Sequence, residues 1–335
     1  MINSARIMSL KLLLAVLVCL LTGSGRSFAE AVITLHGAVQ FNDEHAYNKA
    51  LLKFEELVKQ FYGKPINFVL HRNSELGLEK DYFAYMSQGL SVDYGTVSPS
   101  HMSTFSQAAP FMDVPFLFRD LDHWNKVLAT DVFKPIVDEI AKKADVMLIG
   151  FGGGGVRNLI ANKPVRNMAE LKGLSMRVMG APIQTKMFSA IGAAPTVIAY
   201  SETYNAIQSG VIAALDNEAA GMIQMKFYEV APEIGLTQHS FTIRPICFSG
   251  KTFRHLPKDL QAAIMKAGLL AGAYGRQIES GENETHLQRL AKEGKIKLNK
   301  FADRAKLLEL AAPIKAAYAK DIGATAILNQ IDAVK

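Results

Sequence analysis

DVMLIGFGGGGVRNLIANKPVRN, residues 145–167, decides the fold. Gly150, Gly152 and Gly155 fit the spacing G-x-G-x-x-G directly after an apolar run that reads as a strand, the pattern of a dinucleotide-binding loop. Such a loop needs a helix immediately after it, because the helix N-terminus holds the pyrophosphate. Here residues 156–161 alternate apolar and polar like a strand, and Asn162-Lys163-Pro164 turns the chain. Pro164 arrives too soon after Gly155 for the first helix of a dinucleotide fold. The run is therefore read as a flexible crossover between strands, one that would let two lobes move against each other. Nucleotide binding is set aside with it.

Outward from this run the chain reads as two successive α/β units. Before it, residues 32–35, 66–70 and 94–97 read as strands. A helix between the first two carries Ala50, Phe54, Leu57 and Phe61 at four-three-four spacing, with Asn42 or Asp43 as its cap. A second helix covers residues 78–88 and ends at Gly89. After the run, residues 175–178, 196–199 and 212–215 read as strands, separated by helices at 182–191 and from Ser201 to Gly210. The alternation predicts a mostly parallel sheet. Residues 257–291 then keep apolar positions at helical spacing throughout, either as one helix of roughly 50 Å or as two helices broken near Gly281.

The N-terminus MINSARIMSLKLLLAVLVCLLTGSGRSFAE has the form of a secretory signal peptide. Arg6 and Lys11 precede a short apolar core, residues 12–21, and Ser27-Phe28-Ala29 has the small-x-small form of a cleavage site. The core is too short to span a bilayer. Cleavage after Ala29 removes Arg6, Lys11 and Arg26, lowering Lys plus Arg from 37 to 34 against 31 Asp plus Glu. A mild excess without a basic block gives no footprint for nucleic acid. It also removes Cys19, so Cys247, inside the apolar run PICF, is expected to be a lone buried thiol.

Nothing in the sequence names a reaction. No G-x-S-x-G, H-E-x-x-H or C-x-x-C occurs, and the eight histidines are dispersed. Two arginines stand out instead. Arg177 lies in MRV, a predicted strand with apolar neighbours, and Arg157 lies on the strand after the glycines. An arginine inside a buried strand is costly unless paired, and its fork matches a carboxylate bidentately. An internal ion pair with Glu202 or Asp216 is the alternative for Arg177, and an internal pair is open for Arg157 as well.

The block LKGLSMRVMGAPIQTKMFSAIGAAPTVIAYSETYNAIQSGVIAALDNEAAGMIQMKFYEVAPEIGLTQH, residues 171–239, resembles the substrate-binding proteins of tripartite ATP-independent periplasmic (TRAP) transporters. So do SELG at 74–77, DVPFLFRD at 113–120, KPVRNMAELKG at 163–173 and LPKDLQAAI at 256–264. The resemblance implies an α/β, two-lobed periplasmic binding protein fold with a ligand cleft between the lobes and a long helix spanning both. Lobe one would comprise residues 30–154 plus 243–282, and lobe two residues 155–242 plus 283–335, after a signal peptide at 1–29.

By the same resemblance Arg177 grips a ligand carboxylate, Arg157 assists it, and Asn217 and Tyr200 contact the ligand, with Glu202 beside Tyr200. The chain reads A-A-L-D-N where the family has D-G-x-E-N, so the approach to Asn217 differs. Ser98 lies in a loop that touches ligand polar groups. Asn42 and His45 lie where lobe-one contacts originate, or else cap the following helix. His239 is expected to be structural. The implied job is capture of a small organic carboxylate, a sugar acid such as a hexuronate being favoured, for delivery to TRAP membrane subunits. The protein is expected in the periplasm, as a monomer, without catalysis, metal, cofactor or nucleic acid. An exported hydrolase acting on a small organic acid through Glu202 or His239 is the competing reading.

Overall fold

The glycine run does not interrupt a strand; it is the middle of one. In the computed structural model, which describes residues 32–335, Val146–Ala161 is a single strand of 16 residues (β4). The segment read as a signal peptide lies outside the described residues. The other strands are β1 (Ile33–Ala38), β2 (Ile66–His71), β3 (Tyr94–Thr96), β5 (Ser175–Val178), β6 (Ala194–Val197), β7 (Ala214–Asn217), β8 (Glu233–Ser249) and β9 (Lys297–Lys300). They form one sheet in the order β2-β1-β3-β8-β4-β7-β5-β6, with β9 added to β8. The pairs β1–β3, β5–β6, β5–β7 and β8–β9 are parallel, whereas β3–β8, β4–β8 and β4–β7 are antiparallel. The sheet is thus mixed rather than mostly parallel, because two long antiparallel strands form its centre.

Those two strands tie the halves together. β4 and β8 pair from Val146↔Ser249 at one end to Ala161↔Glu233 at the other, so each contributes to both halves of the sheet. Their register breaks between Gly153 and Val156. There Gly153 and Gly154 take φ of 111° and 106°, a backbone region essentially closed to other residues. The N–H groups of Gly154 and Gly155, displaced from the ladder, both donate to the Thr242 hydroxyl at 3.0 Å. Thr242 in turn donates to Glu279 Oε1 at 2.8 Å.

The helix Lys258–Lys292 is unbroken through Gly281 and lies along β4, running beside the helix Ala46–Tyr62 as far as Glu282 and touching Ala219–Gln224 at Asn283. The glycines explain how closely it lies. A Cβ on Gly150 would sit 2.0 Å from the carbonyl oxygen of Gly268, and one on Gly272 would sit 2.6 Å from the Phe151 nitrogen. Strand backbone and helix backbone are in direct contact, which only glycine permits. The pattern that imitates a phosphate loop is a seat for a helix. Gly150→Ala has only main chain to push against, so it is expected to cost about 3 kcal/mol or more, the upper end for overpacking. Urea denaturation reads this directly, and an unchanged midpoint would remove the seam.

The remaining elements follow their sequence signals closely. Helix Ala46–Tyr62 buries Ala50, Phe54 and Leu57 and stops at Gly63 in the left-handed region. Its cap is neither Asn42 nor Asp43 but His45, whose side chain accepts from the Tyr47 N–H at 3.2 Å. Cys247 is buried in β8 as a free thiol.

Candidate functional site

Ligands of α/β sheets bind beyond the carboxyl ends of parallel strands, and here four such ends converge. From one half come Gln40 and Phe41 after β1 and Ser98 and His101 after β3. From the other come Arg177 and Met179 at the end of β5, and Asn217 and Glu218 at the end of β7. Together they line one cavity.

Arg177 is the cation without an acid. Its side chain is 2% exposed, its Nε donates to the Ile198 carbonyl at 3.0 Å, and its guanidinium lies 5.4 Å from the centre of the Tyr200 ring. No carboxylate among the described residues forms an ion pair with it; neither Glu202 nor Asp216 takes that place. Burial lowers its pKa, an effect that Asp216 only partly offsets from a distance. The two terminal nitrogens of the fork are left for an anion in the cavity.

Arg157 has the opposite environment. Nε donates to Asp216 Oδ2 at 2.6 Å, one terminal nitrogen to Glu218 Oε2 at 2.8 Å and Asn217 Oδ1 at 3.2 Å, and the other to the Asp216 carbonyl at 2.6 Å. The antiparallel register of β4 against β7 places these partners opposite it. Burial would lower its pKa, but Asp216 and then Glu218 raise it; against its own burial, Asp216 is driven far below the carboxylate range by Arg157 and then His239. Arg157 lines the cavity, but its fork is spent on its own half. The alternative left open for it in the sequence, an internal ion pair, is what the structure contains.

Tyr200 and Asn217 stand together in the wall. Asn217 donates to the Tyr200 hydroxyl at 2.7 Å while its carbonyl accepts from Arg157 and from the Glu218 N–H. Ser98 donates its hydroxyl to Asp113 and its N–H to Glu79 at 2.6 Å. Burial first, then Arg177 and Arg244, hold the His101 imidazole at about 3, so it is neutral at working pH.

Three residues singled out in the sequence lie elsewhere. Glu202 is exposed, because the short 3-10 turn Tyr200–Glu202 points successive side chains in different directions. Asn42 turns its side chain onto the Glu44 N–H, and its own N–H crosses to Gln224 at 3.1 Å. His45 caps its helix and stacks on Phe41 at 3.9 Å, behind the cavity wall. Burial and Arg244 hold its pKa at about 3. Conversely, Gln40, Phe41, Glu79, His101, Glu218 and Arg244 line the cavity without having been singled out. Arg244 was hidden in the apolar run FTIRPICF; its flanking residues are buried on both faces of β8, so no alternation marked it.

The chain matches the profile of the bacterial extracellular solute-binding proteins, family 7, over residues 37–321. It is 51% identical over 305 residues to a solute-binding protein of Sulfitobacter sp. (strain NAS-14.1), covering 91% of this chain and 92% of that one. The chain belongs to this family. A TRAP periplasmic solute-binding protein from Sulfitobacter sp. NAS-14.1, solved with bound α-D-taluronate, is similar at TM-score 0.88 and 51% identity, over 90% of this chain and 97% of that one. Another, from Roseobacter denitrificans with bound L-galactonate, is similar at TM-score 0.82 and 27% identity over 90% and 99%. This chain is thus a TRAP solute-binding protein with the two-lobed fold of that family. The family consists of binding proteins, and among the described residues no helix is long and apolar enough to cross a membrane.

Proposed function

We propose that this TRAP solute-binding protein captures a sugar monocarboxylate, a hexuronate or closely related aldonate, in the periplasm and delivers it as a monomer to the membrane subunits. The single observation that carries the reading is Arg177: a buried guanidinium with a free fork, lining the cavity, with no ion-pair acid among the described residues. A ligand carboxylate completes it. The hydrogen-bonding groups around the cavity suit a ligand rich in hydroxyls. The relatives bound to taluronate and to galactonate support the same class.

Lobe one is read as residues 30–154 plus 243–282 and lobe two as 155–242 plus 283–335. The first two boundaries fall at the register break where Gly154 and Gly155 face Thr242, and Glu279 sits near the third. Closure about this point removes water from Arg177 and strengthens its bond to the ligand. Arg177 and Tyr200 act as the anchor, Asn217 and Ser98 as polar wall, and Arg157 as the brace that fixes the Asn217 carbonyl. Against the hydrolase reading, Glu202 is exposed, and His239 is buried between Thr237 at 2.8 Å and Asp216 at 3.2 Å, outside the cavity lining.

The test is a thermal-unfolding screen over organic acids followed by calorimetry. Hexuronates or aldonates at a hundred times their dissociation constant are expected to stabilise the protein by about 2.7 kcal/mol. Mass spectrometry should recover the ligand unchanged. Absence of stabilisation by every sugar acid defeats the proposal.

A further inference from the structure

Beside Arg177 and Arg157 the cavity has a third arginine, and its surroundings differ from theirs. Arg244, on β8, is 5% exposed. One terminal nitrogen donates to the Ile243 carbonyl at 2.9 Å and stands 3.7 Å from Asp113 Oδ1. Its Nε is buried without a hydrogen-bond partner, and so is the hydroxyl of Tyr47, over whose ring the guanidinium lies at 5.1 Å. Unpartnered buried groups of this kind, beside a ligand cavity, are the mark of donors awaiting a partner.

The acids nearby are more numerous than this one cation can serve. Asp113 and Glu79 both act on Arg244, while Glu218 is held by Arg157 at 2.8 Å. Asp113 also accepts from the Ser98 hydroxyl and from the Ser100 N–H at 3.1 Å, and Glu79 from the Ser98 N–H at 2.6 Å. A second carboxylate of a ligand placed here would meet two carboxylates, Asp113 and Glu79, about one guanidinium. A hydroxyl placed here meets a donor in Arg244 and an acceptor in Glu79, and a hydroxyl needs both at once. Arg177, with no acid beside it, is suited only to the anionic end.

We infer that Arg244 and Glu79 are a specificity-determining pair that reads the hydroxylated end of the ligand and rejects a carboxylate there, so that the site selects sugar monocarboxylates over dicarboxylates of the same skeleton. This rests on the proposed capture of a sugar acid and adds the orientation of that acid: carboxylate on Arg177, hydroxyls toward Arg244. The excess acid near Arg244 acts against the wrong ligand rather than for the right one.

Galactarate is the dicarboxylate counterpart of both D-galacturonate and L-galactonate, and calorimetry with these three compounds tests the pair. The unaltered protein is expected to bind the better of the two monocarboxylates at least ~100-fold more tightly than galactarate. Glu79→Gln, which removes a charge and keeps the shape, should narrow that ratio ~10-fold or more, mainly by strengthening galactarate. Arg244→Gln should weaken the monocarboxylate ~10-fold or more, with partial recovery in Arg244→Lys. If the unaltered protein binds galactarate as tightly as the monocarboxylate, this inference falls while sugar-acid capture stands. If it binds a dicarboxylate such as succinate and neither monocarboxylate, both fall. Equal weakening of all ligands by Glu79→Gln, with unfolding unchanged, would reduce Glu79 to a wall residue and overturn its assignment.

Discussion

Arg177→Met weakens sugar-acid binding by roughly 10²–10⁴-fold and leaves the ligand-free protein at least as stable as before. The first half follows from two charge-assisted hydrogen bonds lost at about 1.5–3 kcal/mol each. The second follows because no acid among the described residues forms an ion pair with the guanidinium: Met keeps an apolar stem and removes a buried charge that Asp216 offsets only in part. Arg157→Met should do the reverse to stability. It leaves Asp216 and Glu218 buried without their cation, at a cost of about 3–5 kcal/mol. Calorimetry and urea denaturation of the two variants separate the roles. If Arg177→Met is as destabilising as Arg157→Met, Arg177 is a structural ion-pair partner and the anchor is lost.

Glu279→Gln should gain stability relative to the unaltered protein as the pH rises. Burial, then the charge of Glu218, pushes the Glu279 carboxyl up to about 8, with Arg244 and the Thr242 hydroxyl pulling back. Its second oxygen is buried without a partner. The folded protein therefore holds this proton between the ordinary carboxyl range, near 4.5, and about 8, while the unfolded chain does not. Where the folded state binds more protons, stability falls as pH rises. The contribution is fully present below about 4.5 and is lost as pH rises through 8. Glutamine keeps the bond to Thr242 and has no proton to lose. The difference between variant and parent should thus move in the variant's favour by about 1.4 kcal/mol per pH unit from pH 5 to 8. Denaturation at four pH values measures it; parallel curves would show that Glu279 carries no such proton.

Local elements were legible because their signals are local. Helix Ala46–Tyr62, helix Glu79–Gln88 with its left-handed Gly89, strand β5 and the long helix all sit within a few residues of where spacing and caps put them. The elements at the centre of the sheet were not. β8 is buried on both faces almost throughout, so its sequence shows no alternation, and Arg244 passed as part of an apolar run. β4 was cut at its glycines because their reason lies in a helix more than a hundred residues later. The family resemblance was enough to put Ser98, Arg177 and Asn217 at the cavity; it could not tell which way Glu202 turns out of Tyr200–Glu202, or that Asn42 and His45 would spend their side chains on local backbone.

The uninterrupted run of β4 and β8 through both halves has a practical meaning for anyone who would dissect the molecule. A fragment ending at the glycines would carry half of β4 and none of the strand it zips to, leaving a bare ladder of main-chain groups ready to associate with any other chain. The two halves share one spine.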